Sequence, residues 1–176
     1  MITIAEERRL AERAAAGDRD ALSSLYEEYS EQLFAVAYRL TGSSADAADV
    51  LHEVFSRLPE TLQSFDRGRS LPPWLRTVTT RAALEQLRRE RQRCEAPLPD
   101  GLEDETLRTP WVLDFIVLER ALSSLPEDLR QVIVLKAMLG YSHEEIGKLL
   151  GIRPATSRGR LYRGRAALHA QLGDRR

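Results

Sequence analysis

Apolar residues recur at helical spacing through most of the chain, and no stretch alternates as a strand would. The clearest run lies between Arg19 and Leu40. There Leu22, Leu25, Tyr26, Tyr29, Leu33, Val36, Ala37 and Leu40 fall on one stripe of a helix. Gly17-Asp18 ahead of it offers a break and an N-cap, and Thr41-Gly42 an end. Ser43-Ser44 then caps a helix carrying Val50, Leu51, Val54, Phe55, Leu58 and Leu62, interrupted or kinked at Pro59. After a loop from Phe65 to Leu71, Pro72-Pro73 opens a helix through Trp74, Leu75, Val78, Ala82 and Leu87 into an arginine-rich end.

The pattern breaks at Cys94. From there to Thr109 the chain holds Pro97, Pro99, Gly101 and five acidic residues, which predicts a flexible acidic linker. Helical periodicity resumes at Pro110 with Leu113, Ile116, Val117 and Ala121. A further helix begins near Pro126, carries Leu129, Val132, Ile133 and Leu135, and ends at Gly140. Ser142-His143-Glu144-Glu145 has the form of a capping box and starts a short helix to Leu150. Gly151 makes a tight turn, and Pro154 sits near the first turn of a last helix ending near Leu172-Gly173. The expected architecture is all-α. Two small helical domains, residues 1–93 and 110–176, flank the linker at 94–109, and the second is a helix-turn-helix.

Composition narrows the function. Of 176 residues, 43% are hydrophobic and 30% charged, a globular balance, and no apolar run is long enough to span a bilayer. Met1 to Arg13 is rich in Glu and Arg without an apolar leader core. Together with Cys94 as the single cysteine, this predicts a cytoplasmic protein with no membrane insertion. His52, His143 and His169 share no ligand spacing with each other or with Cys94, so neither a metal nor another cofactor is expected. No nucleophile elbow or Gly-rich phosphate loop is present, so an enzyme is not expected.

The net charge of −1 hides a strong segregation. Residues 94–114 hold one basic and six acidic side chains, whereas 115–176 hold 11 basic and six acidic. From Arg67 to Arg93 eight arginines face only Glu85 and Glu90. Clustered cations, not a high overall pI, are what nucleic acid attracts. From Lys148 to Leu172 there is no acidic residue at all. On a helical wheel Ser157, Leu161, Leu168 and Leu172 form an inward stripe. Thr156, Gly159 and Arg163 point the opposite way, with Arg160 beside them. An outward basic face near the start of the second helix suits a major groove, where arginine pairs with guanine or phosphate. Gly159 and Gly164 each weaken that helix by roughly 1 kcal/mol relative to alanine.

These residues also resemble a known family. Leu122 to Leu135, Gly140 to Gly147 and Ala155 to Arg165 are similar to the C-terminal domain of sigma factors. In the N-terminal half, Asp46 to Phe55 is similar to the helix of sigma factors that binds the polymerase clamp, and Trp74 to Val78 with Leu84 to Arg89 to their promoter-melting helix. The short acidic linker resembles that of the extracytoplasmic-function (ECF) group of the sigma-70 family. The resemblance implies a factor that binds core RNA polymerase, at its clamp helices and flap, and directs it to promoter DNA; it also implies an anti-sigma partner. It places polymerase binding at Asp49, His52 and Glu53. Minus-ten recognition falls to Phe65, Arg67, Arg69, Trp74, Arg81 and Arg88, and minus-thirty-five recognition to Arg153, Thr156, Arg158, Gly159, Arg160 and Arg163. Trp74 by itself fits a core role as well as a stacking one. The chain departs from the family pattern at Arg81, usually Asn; His52, usually Gln; Gly147, usually Ala; and Ser157, usually a branched apolar residue. The last two predict looser packing of the helix-turn-helix. The alternative function is a stand-alone helix-turn-helix regulator.

Overall fold

The computed structural model describes residues 3–93 and 118–173. The expected linker with Cys94, and the helical onset from Pro110 to Val117, lie outside the described residues. Among the described residues there are helices and turns and no strand, as the apolar spacing requires. The chain divides into two compact units, Met1–Tyr38 with Ala45–Glu90, and Arg39–Ser44 with Arg91–Arg176.

The first unit is built from α1 (Ile4–Ala15), most of α2 (Arg19–Thr41), nearly all of α3 (Ser44–Ser56), α4 (Leu58–Leu62) and most of α5 (Leu71–Arg93). Helix α1 was not apparent from the apolar pattern. It begins with a capping box in which the Thr3 hydroxyl accepts from Glu6 N–H and the Glu6 carboxylate accepts from Thr3 N–H. It buries Ala11 and Ala14. The Asp18 carboxylate caps α2 by accepting from Asp20 and Ala21 N–H at 2.9 and 3.2 Å. The stripe read from the sequence is the buried face of α2: Leu25, Tyr29, Leu33, Val36, Ala37 and Leu40 are inside and Leu22 is half-buried. Tyr26 departs from it and is 47% exposed. Pro59 does not kink one helix but separates two, because it stands in the first turn of α4, where a missing N–H costs nothing. The core joins Leu25, Tyr29 and Leu33 to Phe55, Leu58, Leu62, Phe65, Leu71 and Leu75.

In the second unit, residues 118–123 are helical and α6 runs Glu127–Ile133. It continues as a wider π-helical turn over Val134–Met138, with Leu139 N–H reaching Val134 O at 3.0 Å. Helix α7 (His143–Leu150) and α8 (Pro154–Gly173) follow. The Ser142–Glu145 capping box forms as expected. Hydrogen bonds from the Ser142 N–H and hydroxyl hold the Glu145 carboxyl below its ordinary range. Gly151 closes α7 in the left-handed conformation at φ +66°. Arg130 is 7% exposed, and its guanidinium donates to the carbonyls of Ser123 and Leu125. A buried cation of this kind is tolerated when hydrogen bonds such as these replace its lost hydration.

Candidate nucleic-acid interface

Helix α8 is the second helix of the helix-turn-helix. Its inward stripe is Ser157, which is fully buried, Leu161, Gly164 and the half-buried Leu168. Leu172, expected on that stripe, is 37% exposed and extends past the core. Gly164 lies so close to α6 that a Cβ there would come within 2.6 Å of Ile133 Cδ1. The glycine that weakens the helix thus permits its closest packing. Ser157, read as loosening the motif, is instead bonded. Its hydroxyl lies 2.9 Å from His143 Nδ1. Gly147 also tightens the turn rather than loosening it. A Cβ there would stand 2.7 Å from the Ile152 carbonyl oxygen, and Ile152 N–H donates to Gly147 O at 3.0 Å.

The opposite side of α8 is the exposed one. Thr156, Arg158, Gly159 and Arg163 face outward, with Arg153 exposed in the turn before them. Nothing lies within 4 Å of the Gly159 Cβ position, so a ligand backbone has room to approach there. Among the described residues, Arg153, Arg158, Arg163 and Arg165 have no acidic partner. Arg160 differs from its sequence reading. It is half-buried, and its Nε lies 3.2 Å from Asp128 Oδ2 on α6, an ion pair without a well-directed hydrogen bond. Tyr162, 78% exposed, escaped the sequence reading. It stands four residues after Arg158 and three before Arg165, which puts all three on one flank of the helix.

In the first unit the loop before α5 carries Arg67 and Arg69 at the surface, and α5 exposes Arg76, Arg81, Arg88 and Arg89. Phe65 is a correction to the reading from sequence. At 8% exposure its ring turns into the core, 4.9 Å from the ring of the half-buried Trp74. Burying two aromatics here outweighs presenting one to solvent. The pair therefore anchors the root of the loop. Several of the cations are held by neighbouring acids: Arg67 by Glu12 at 3.8 Å, Arg69 by Asp66 at 3.4 Å, and Arg88 by Glu85 at 3.3 Å.

Helix α3 offers a different chemistry. Asp49 and His52 are exposed, while Glu53 is half-buried between Arg57 at 3.2 Å and Arg89 at 3.5 Å. His52 also lines an apolar groove of about 690 Å³ between α2 and α3, with Leu22, Tyr26, Phe34, Leu51 and Phe55. Tyr26 and Phe55 meet edge to face across it, their ring centroids 4.9 Å apart.

Known proteins resemble this chain in sequence and fold. Residues 25–93 match Sigma-70 region 2, and residues 115–168 match Sigma-70, region 4. The ECF RNA polymerase sigma factor SigW of Bacillus subtilis is 31% identical over 179 residues, spanning 90% of this chain and 92% of that one. The chain belongs to the ECF sigma factors of the sigma-70 family. SigE of Mycolicibacterium smegmatis, also named an ECF RNA polymerase sigma factor, is 34% identical over 169 residues, 90% of this chain and 65% of that protein. This sigma factor thus spans somewhat less than two thirds of that relative's length. Among solved structures, CnrH in complex with the cytosolic domain of CnrY aligns with a TM-score of 0.55 and 27% identity, covering 97% of this chain and 99% of that one. The sigma factor RpoE of Bartonella quintana, in complex with the anti-sigma factor NepR, shares the fold with a TM-score of 0.62 at 24% identity, over 88% and 98% of the two chains. No helix among the described residues of this sigma factor is long and apolar enough to cross a membrane.

Proposed function

We propose that this ECF sigma factor binds core RNA polymerase through α3, reads the minus-thirty-five duplex with α8, and captures the melted minus-ten strand with the Arg67-to-Ser70 loop and α5. The observation that carries this reading is the division of labour on one chain. One unit carries a duplex-sized basic helix, and the other carries both a basic loop-and-helix face and an acidic, groove-bordered face. Asp49, His52 and Glu53 meet the polymerase clamp. Arg67, Arg69, Arg81 and Arg88 track the single strand, above an anchor of Phe65 and Trp74. Arg153, Thr156, Arg158, Gly159 and Arg163 address the duplex, and Arg160 holds α8 in place through Asp128. Residues 94–109 link the two functional parts, 1–93 and 110–176, and the second part contacts the polymerase flap.

The factor acts in the cytoplasm by binding rather than by catalysis. Its relatives are named as sigma factors, and two solved structures of its fold hold a partner chain, in one case named an anti-sigma factor. An anti-sigma factor therefore belongs among its partners.

Size exclusion of the full chain with core polymerase tests the reading. The two co-elute, and only the complex opens promoter DNA. Tight, sequence-specific duplex binding by the free chain, with no polymerase association, would point to a stand-alone helix-turn-helix regulator instead.

A further inference from the structure

We infer that His143 and Ser157 form a polar clasp that sets the recognition helix for duplex reading, with His143 as a positioning residue. The inference rests on the duplex-reading role proposed for α8. His143 is the first residue of α7, and Ser157 lies in the first turns of α8. Their polar atoms, Nδ1 and Oγ, are 2.9 Å apart. The Ser157 side chain has no solvent exposure, so water does not satisfy its hydroxyl. Among the described residues the imidazole is its hydrogen-bond partner.

A branched apolar contact at this place would tolerate sliding, because dispersion has little directionality. A hydrogen bond fixes both a distance and a direction. Ser157 is also flanked by Thr156 and Arg158, exposed one on each side of the buried stripe of α8. Any slide or roll of α8 that keeps its core face buried but breaks the clasp shifts these two residues against the groove. The far end of α7 is fixed as well, where the Ile152 carbonyl approaches Gly147. The short helix α7 is thereby held at both of its ends, and the clasp adds a directed contact to the apolar packing of α8 against α6.

The test uses holoenzyme made from core polymerase and the full chain. Promoters are first selected from a randomised pool with the natural chain. Discrimination among minus-thirty-five variants and among minus-ten variants is then measured for the natural chain, Ser157→Ala, His143→Ala, the double variant and His143→Asn. Each alanine is expected to lower minus-thirty-five discrimination roughly three- to tenfold. Minus-ten discrimination and polymerase affinity stay unchanged. The double variant is no worse than either single one. His143→Asn, whose amide places a polar atom close to the Nδ1 position, recovers most of the loss.

A second measurement does not depend on DNA. The ring-nitrogen NMR signals of His143 in the free full chain report one fixed tautomer, which averages in Ser157→Ala. Additive effects of the two alanines, or ring signals unchanged by Ser157→Ala, overturn the clasp. Should the alanine variants fold poorly, His143→Asn carries the test: retained discrimination supports the clasp and lost discrimination overturns it. A natural holoenzyme with no minus-thirty-five preference overturns the duplex-reading role itself, while the ring signals still decide whether the clasp exists.

Discussion

The two basic faces hold their charges differently. On α8 and the turn before it, Arg153, Arg158, Arg163 and Arg165 have no acid beside them among the described residues, and only Arg160 is paired. On the loop and α5, Arg67, Arg69, Arg88 and Arg89 each have an acid within 4 Å, whereas Arg76 and Arg81 stand without one among the described residues. An exposed pair contributes only about 0–1 kcal/mol, so a phosphate can displace each acid. Four such displacements still lower the net gain. The cations of α8 are therefore presented ready, and those of the loop and α5 are damped by their acidic partners. This fits the function proposed above, in which polymerase brings the minus-ten strand to the loop and α5.

Four experiments sharpen or break that contrast. The largest effect is expected at neither basic face but at the acidic one that delivers both. Asp49→Arg with Glu53→Arg should weaken association with core polymerase on the order of a hundredfold, as charge reversal at a complementary interface does. Glu53 also pairs with Arg57 and Arg89, so Asp49→Arg alone is the arm that spares the α3–α5 contact. Unchanged co-elution of both variants removes the clamp assignment.

Next comes Arg163→Ala. It should cost about 1–3 kcal/mol of minus-thirty-five duplex affinity if the side chain reads a base. Arg69→Ala should cost less at the minus-ten strand, because Asp66 already shares that charge. Equal losses in the two titrations would erase the difference between the faces.

A third experiment concerns stability. Gly147→Ala forces the Ile152 carbonyl outward and should destabilise the chain by about 1–3 kcal/mol, as overpacking does. Gly159→Ala meets open space and should stabilise α8 by about 1 kcal/mol while narrowing the approach to DNA. Thermal melts of both, together with duplex affinity for the second, separate packing from access.

The smallest effect belongs to Glu12→Gln. Freed of its acid, Arg67 should bind single-stranded DNA no more than a few-fold more tightly at low salt, and the gain should vanish as salt rises. A gain that persists at high salt would mean that Glu12 acts on the loop in some way other than through charge.

Much of this was legible in the residues. The stripe from Leu25 to Leu40 and the Asp18 cap carry enough local information to place α2, because period and cap agree. Ser142 and Glu145 did the same for α7. Helix α1 was missed although Thr3 and Glu6 have capping-box spacing, because its buried residues are mostly alanines, which scarcely register as an apolar stripe. The surroundings of Phe65 and Arg160 differ from the sequence pattern for a common reason. Local pattern shows which residue types are available, but a distant partner, Trp74 or Asp128, decides which way each turns. The polarity of Ser157 looked like a packing fault for the same reason, since its partner lies on another helix. The widened turn at Val134–Met138 left no signal, because it is a property of backbone hydrogen bonding rather than of residue type.

From Leu129 to Leu135 every residue is buried, including Arg130 and Gln131. A helix lying on a surface leaves some of any seven consecutive positions in water, so this one is surrounded on all sides and serves as the axle of its unit. Its amides should be among the last in the unit to exchange with solvent deuterium. The end of α8, with Leu172 at the surface, can fray without disturbing it. Helix α8, packed on it at Gly164, should thus hang on the part of the unit that loosens last. Thermal motion at the exposed basic face should then stay within the hanging helix and leave its mount still.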